Sequence, residues 1–268
     1  MPTVTPASVV ATLRAAGCVF AEDEADLLLA AARTPEELTA LVARRAAGTP
    51  LEHVLGWAEF RGLRVTLEPG VFVPRRRTEF LVGQALAQAP PDTAVVVDLC
   101  CGSGAVGAAL ATALNTGAHG GAPGRVELHA ADIDPAAVRC ARRNLAALGG
   151  LAHTGDLFRA LPGDLRGRIA VLTANVPYVP SGEVPLLPSE AREHEPLVAL
   201  DGGPDGLDVL RRVAAGASGW LAPGGCLLVE TGERQVPAAM AAFTAGGLTT
   251  RVAVGEELSA HVVIGVRP

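Results

Sequence analysis

Four consecutive residues, Asn175-Val176-Pro177-Tyr178, carry the most specific chemistry in this sequence. The asparagine amide can donate and accept, the neighbouring carbonyls can accept, and the tyrosine offers an aromatic face. Together they suit a flat group bearing an NH2, gripped through its N–H bonds and packed against a ring. The apolar run 169–172 just before them reads as a buried strand. Pro177 and Pro180 end it, because a proline cannot continue a sheet ladder. In an open α/β sheet, ligands bind at the C-terminal ends of strands, which is where this loop falls. An Asx-turn capping a buried strand would use some of the same residues, so the loop takes its meaning from what lies upstream.

Upstream, residues 95–107 read as a buried strand, a tight turn through Cys100, Cys101, Gly102, Ser103 and Gly104, and a helix start. Glycines let the backbone pass close to a ligand, and the first amides of a helix can meet a negative group. Gly102-Ser103-Gly104-x-x-Gly107 also fits a dinucleotide-binding pattern. The next strand ends at Asp132, where a carboxylate can accept from both hydroxyls of a ribose. Dinucleotide sites do the same, so Asp132 does not separate the two readings. Asp134, followed by Pro135, fits a helix N-cap. A third strand end carries Asp156 and Leu157, placed to hydrogen-bond an adenine amino group and to pack on its ring.

These residues need elements to hold them. From residue 94 onward, strand and helix patterns alternate: strands at 94–98, 126–131, 151–154, 169–174 and 225–230, with helices at 104–114, 135–147, 207–219 and 235–245. A further helix spans about 78–89, and Pro90-Pro91-Asp92 breaks it. Alternation at this spacing predicts a mostly parallel sheet with crossover helices. Two strand-like runs, 249–254 and 261–266, are too close for a crossover and are expected to pair antiparallel at one edge. Residues 116–124 read as a flexible surface loop. Residues 179–206 form a long connection rich in proline and glycine, a kind that is functional or disordered.

Before the sheet, residues 4–47 show helical spacing, and Thr34-Pro35-Glu36-Glu37 is a strong helix start: an N-cap, proline at the first position, acids in the first turn. Residues 57–67 alternate around a glycine and read as a β-hairpin, closed by Val71-Phe72-Val73-Pro74. The expected organisation is a small helical unit over 1–49, a hairpin linker over 50–76 and the α/β domain over 77–268.

The chain has 268 residues, 49% of them hydrophobic, enough for one sizeable core and a small second domain. A net charge of −6 is a poor match to nucleic acid. Cys18, Cys100, Cys101, Cys140 and Cys226 form no Cys-x-x-Cys, and no Cys/His cluster has metal spacing. They read as small buried hydrophobes of a protein kept in a reducing cytoplasm, with no metal. The N-terminus carries no signal-peptide pattern, and no apolar run is long enough for a membrane span.

Taken together, residues 98–104, Asp132, Asp156 and Asn175-x-Pro-Tyr resemble a class I S-adenosylmethionine-dependent methyltransferase. More narrowly the chain resembles the HemK-type protein N5-glutamine methyltransferases, whose members modify peptide-chain release factors. Arg44-Arg45-x-x-Gly48-x-Pro50-Leu51-x-His53, Pro74-Arg75-x-x-Thr78-Glu79, Glu195-Pro196 and Gly203-x-Asp205-Gly206-Leu207 follow the family pattern as well. The departures are Val176 where the family loop has proline, Cys100 and Cys101 where its turn has glycine, and Arg76 and Arg77 where its linker has proline and an acid.

The resemblance implies a Rossmann-like fold and S-adenosyl-L-methionine as cofactor, bound by Cys100, Cys101, Gly102, Ser103, Gly104, Asp132, Asp156, Leu157 and Asn175. It implies that Asn175, Val176, Pro177 and Tyr178 hold a glutamine amide, with Asn175 and Tyr178 catalytic. The partner would be a protein, a release factor. Alternatives are an adenine-N6 methyltransferase, a methyltransferase of a small metabolite, and an inactive cofactor-binding protein.

Overall fold

A computed structural model describes residues 5–90, 94–118, 120 and 124–268. The chain opens with α1 (Pro6–Ala15), α2 (Ala21–Ala31), α3 (Pro35–Ala46) and α4 (Leu51–Leu55). The caps are those the sequence specifies: the Thr5 hydroxyl accepts from the Ser8 N–H and the Thr34 hydroxyl from the Glu37 N–H. The four helices bury a core of their own, built on Val9, Leu13, Ala25, Leu28, Leu38 and Val42.

An antiparallel hairpin follows, β1 (Trp57–Phe60) and β2 (Leu63–Thr66). Residues 71–74 continue it as irregular chain and form no strand. Val71 and Val73 are nevertheless buried, packed with Leu67 against Ala137 and Cys140.

The rest comprises α5 (Thr78–Leu86), β3 (Ala94–Leu99), α6 (Ala105–Thr116), β4 (Val126–Asp132), α7 (Pro135–Leu145), β5 (Leu151–Thr154), β6 (Ile169–Ala174), α8 (Ser189–His194), α9 (Leu197–Leu200), α10 (Asp208–Ala217), β7 (Leu221–Thr231), α11 (Val236–Ala245), β8 (Thr249–Gly255) and β9 (Ala260–Val266). The strands form one seven-stranded sheet in the order β5-β4-β3-β6-β7-β9-β8. Only β9 runs against its neighbours β7 and β8, and it lies one strand in from the edge. Sequence alone gave the antiparallel pairing and not this insertion. The helix break at Pro91-Asp92 and much of the 116–124 loop lie outside the described residues.

Period-two alternation decides which side chain meets which helix layer. Val96 of β3 points to the face covered by α5, α6 and α7, and Val97 and Leu99 to the face covered by α10 and α11. Strands buried on both faces read as continuous apolar runs, as 94–97 does. The long connection 179–206 is ordered: it holds α8 and α9, and Val179 bridges Asp201. Among the described residues no helix is long and apolar enough to cross a membrane.

Candidate active site

Strand register assembles the site. Leu99 pairs with Ala131 of β4 on one side and with Ala174 of β6 on the other. The next residues along each strand, Cys100, Asp132 and Asn175, therefore stand abreast at the C-terminal ends. The strand order reverses direction between β3 and β6, the switch point where α/β sheets bind ligands. A cleft partly open to solvent lies there, and Cys100, Cys101, Gly102, Ser103, Asp132, Asn175, Val176, Pro177 and Tyr178 all line it.

The turn after β3 is pinned from inside. Asp98 is fully buried; its Oδ2 accepts from the Gly107 N–H at 3.0 Å and its Oδ1 from the Thr173 hydroxyl at 3.0 Å. Burial pushes its carboxyl up to about 7, against the two hydrogen bonds. Gly104 has φ 79°, and a Cβ there would sit 3.1 Å from the Ala141 Cβ, so this glycine lets α7 close on the turn. Cys100 adopts φ 53°, a left-handed backbone that costs a side-chain-bearing residue about 1–2 kcal/mol. Burial raises both the Cys100 and the Cys101 thiol well above their ordinary range, so neither is a nucleophile at neutral pH.

Asp132 braces the same turn. Its Oδ2 accepts from the Gly102 N–H and its Oδ1 from the Asp134 N–H, each at 2.9 Å. Burial raises its carboxyl, and those two donors oppose the rise. Each oxygen keeps a lone pair for a hydroxyl donor from the cleft. Asp134 caps α7 through the Ala136 N–H. Asp156 and Leu157 stand apart from the cleft lining. Asp156 Oδ2 is held by Arg212 at 2.6 Å, while Oδ1 makes no hydrogen bond among the described residues.

On the opposite wall, the Asn175 Oδ1 atom is buried and has no hydrogen-bond partner. An orphaned buried acceptor costs about 1–3 kcal/mol. The Val176 carbonyl likewise receives no hydrogen bond among the described residues. The Tyr178 carbonyl accepts from Gln235 Nε2 at 2.9 Å, and the same nitrogen donates to the Asp205 carbonyl at 3.0 Å. Gly206, at φ 76°, leaves room for that arrangement; a Cβ would collide with the Tyr178 carbonyl oxygen.

Sequence reasoning missed the supports of this wall. Glu195, in the 179–206 connection, is buried; its Oε1 accepts from the Val73 N–H at 3.1 Å, and both oxygens accept from Arg75, at 2.7 and 2.6 Å. Pro196, Val198 and Leu200 follow it and line the cleft. Arg45, 7% exposed, binds Glu24 of α2 at 2.5 Å and Glu190 of α8 at 2.7 Å, tying the helical segment to this connection. The motif residues Arg45, Arg75 and Glu195 were visible in the sequence, their partners were not. Among the described residues no group of three or more His, Cys, Asp or Glu could hold a metal ion.

This sheet order and switch-point cleft define the fold of the class I S-adenosylmethionine-dependent methyltransferases. Solved structures agree: a methyltransferase from Pyrococcus furiosus aligns with a TM-score of 0.55 at 15% identity, over 84% of this chain and 96% of that one. A ribosomal protein methylase from Lactobacillus delbrueckii subsp. bulgaricus aligns at 0.51 and 15%, over 75% and 83%. No protein-family model matches the chain. The release factor glutamine methyltransferase of Mycolicibacterium smegmatis is 36% identical over 267 residues, 93% of this chain and 91% of that protein. That of Geobacter sulfurreducens is 40% identical over 218 residues, 80% and 72% of the two. The chain belongs to the release factor glutamine methyltransferase family. A 4-amino-L-phenylalanine/4-methylamino-L-phenylalanine methyltransferase of Streptomyces pristinaespiralis is 35% identical over 88% of this chain and 78% of its own length.

Proposed function

We propose that this protein transfers the methyl group of S-adenosyl-L-methionine to the side-chain amide N5 of a glutamine in a peptide-chain release factor, in the cytoplasm. The orphaned Asn175 Oδ1, buried beside the cleft, carries the reading. Family membership supports it.

The residues present fit the cofactor. Asp132 has lone pairs left for the ribose hydroxyls and the 100–104 turn brings backbone close; Asp156 and Leu157, read as the adenine contacts, stand outside the cleft lining. When bound, the sulfonium supplies a methyl group ready for in-line displacement. The protein's work is alignment. An amide nitrogen is a poor nucleophile, because its lone pair is delocalised into the carbonyl. Asn175 Oδ1 and the Val176 carbonyl accept from the two N–H bonds, which orients the nitrogen and offsets the positive charge it gains. Pro177 stiffens the carbonyls and the Tyr178 ring packs on the amide plane. The amide loses its proton after transfer, when the nitrogen is strongly acidic. The helical segment before residue 50 is read as the grip on the protein partner.

An adenine acceptor presents the same flat NH2 but calls for a basic groove. Here three of the five arginines in the short basic runs pair with acids: Arg75 with Glu195, Arg77 with Glu230, Arg143 with Glu68. The Streptomyces relative keeps a free arylamine as a second reading. Labelled cofactor offered with release factor, an adenine-bearing oligonucleotide or 4-aminophenylalanine separates the three. Label in the release factor alone is the expected result; label only in another acceptor, or in none, defeats the proposal.

A further inference from the structure

The Arg77–Glu230 pair lies outside the cofactor reading and beside the acceptor loop. Val229 of β7 pairs with Ala174 of β6, so Glu230 stands abreast of Asn175. The Glu230 side chain is 3% exposed, and burial pushes its carboxyl up while Arg77 opposes the rise. Its Oε1 forms an ion pair with Arg77 Nε at 2.7 Å, and the neighbouring Thr78 side chain also opposes the rise. Arg77 is thus held by one edge, while its side chain stays 40% exposed. Its guanidinium carbon lies 5.1 Å from the centroid of the Tyr178 ring, within cation–π range. The following residue, Thr78, is buried and lines the cleft. Arg77 caps α5, whose packing on β7 and β9 fixes the backbone from which it reaches.

Among the described residues, the hydrogen bond that Tyr178 makes runs through its carbonyl, from Gln235 Nε2. Nothing in that bond sets the plane of the ring. We propose that Arg77, anchored by the buried Glu230 carboxylate, is a positioning residue that sets the Tyr178 ring plane for the acceptor amide. This rests on the acceptor role given above to Tyr178. A cation suits a ring face and a buried carboxylate at once.

The test is a double-mutant cycle on the whole protein with purified release factor as acceptor. Arg77→Met alone would strand the Glu230 charge, so it is paired with Glu230→Gln, which removes both charges together. Arg77→Lys keeps the cation and loses the fixed guanidinium plane. The Arg77→Met/Glu230→Gln protein is expected to raise KM for the release factor about two- to fivefold, the size of a cation–π contact that solvent still reaches. Binding of S-adenosylhomocysteine by calorimetry should stay within about twofold, Arg77→Lys should recover part of the loss, and the effect should vanish in a Tyr178→Ala background. An equal loss in that background, a weakened cofactor with unchanged acceptor KM, or no loss at all overturns the inference. Tyr178→Ala with undiminished methylation would instead sink the acceptor reading itself.

Discussion

Removing the Asn175 amide should move stability and activity in opposite directions. Its Oδ1 is buried and accepts no hydrogen bond from the protein, and an acceptor left without a donor there would cost about 1–3 kcal/mol. Asn175→Ala deletes that cost and little packing, since the residue is only half-buried on the cleft wall. Folding stability is therefore expected to hold or to rise by up to about 1–2 kcal/mol, a gain of a few degrees in Tm for about 250 residues. Turnover should fall by about 10²–10³, the usual cost of losing one preorganised polar group facing developing charge. Single-turnover methylation at saturating cofactor reads the second effect, thermal denaturation the first, and calorimetry with S-adenosylhomocysteine checks that the cofactor still binds. Unchanged turnover would refute the role of Asn175. A large drop in Tm that tracks the lost activity would show instead a structural residue.

Asp132→Ala should weaken S-adenosylmethionine by about 10–100-fold, a loss of about 1.4–2.8 kcal/mol, and calorimetry giving equal affinity rules out the ribose assignment. Asp98 gives a pH signature. Its carboxyl sits at about 7 in the folded chain against an ordinary 3.8, so the folded state holds the proton more tightly than the unfolded one. The associated stability is complete below about pH 4 and is lost as pH rises through about 7, by roughly 4 kcal/mol. Asp98→Asn should flatten the Tm difference between pH 5 and pH 8; an unchanged difference contradicts the assignment. Arg45→Ala leaves Glu24 without its buried partner and should cost about 3–5 kcal/mol in urea unfolding, with release factor methylation reduced. Gly206→Ala places a Cβ against the Tyr178 carbonyl at a left-handed φ and should lower kcat while S-adenosylhomocysteine affinity holds.

Local patterns carried the fold because each element's period and caps agree with its place in the sheet. The run 94–97 announces a strand buried on both faces, and Thr34-Pro35 announces a helix start. The insertion of β9 between β7 and β8 was hidden, since both final strands alternate alike and only tertiary packing ranks them. The order within 179–206 was hidden for a related reason. Its short helices are fixed by distant partners: Glu195 by Val73 and Arg75, Glu190 by Arg45. At the site, Asn175, Asp132 and the glycine turn were legible, because strand ends converge in a parallel sheet. The Asp156–Arg212 pair spans 56 residues and no local pattern specifies it. Nor does any pattern show that Cys100 takes a left-handed turn, that Gln235 reaches the Tyr178 carbonyl, or that Arg77 meets Glu230.

The whole account stands or falls on where the methyl group goes. Release factor incubated with this protein and S-adenosyl-L-methionine, then digested and fragmented in a mass spectrometer, should show one added methyl on the side-chain nitrogen of a single glutamine. The Asn175→Ala protein should add it far more slowly. A methyl found on another residue type, or a release factor left unmodified by a protein that binds the cofactor, would contradict it.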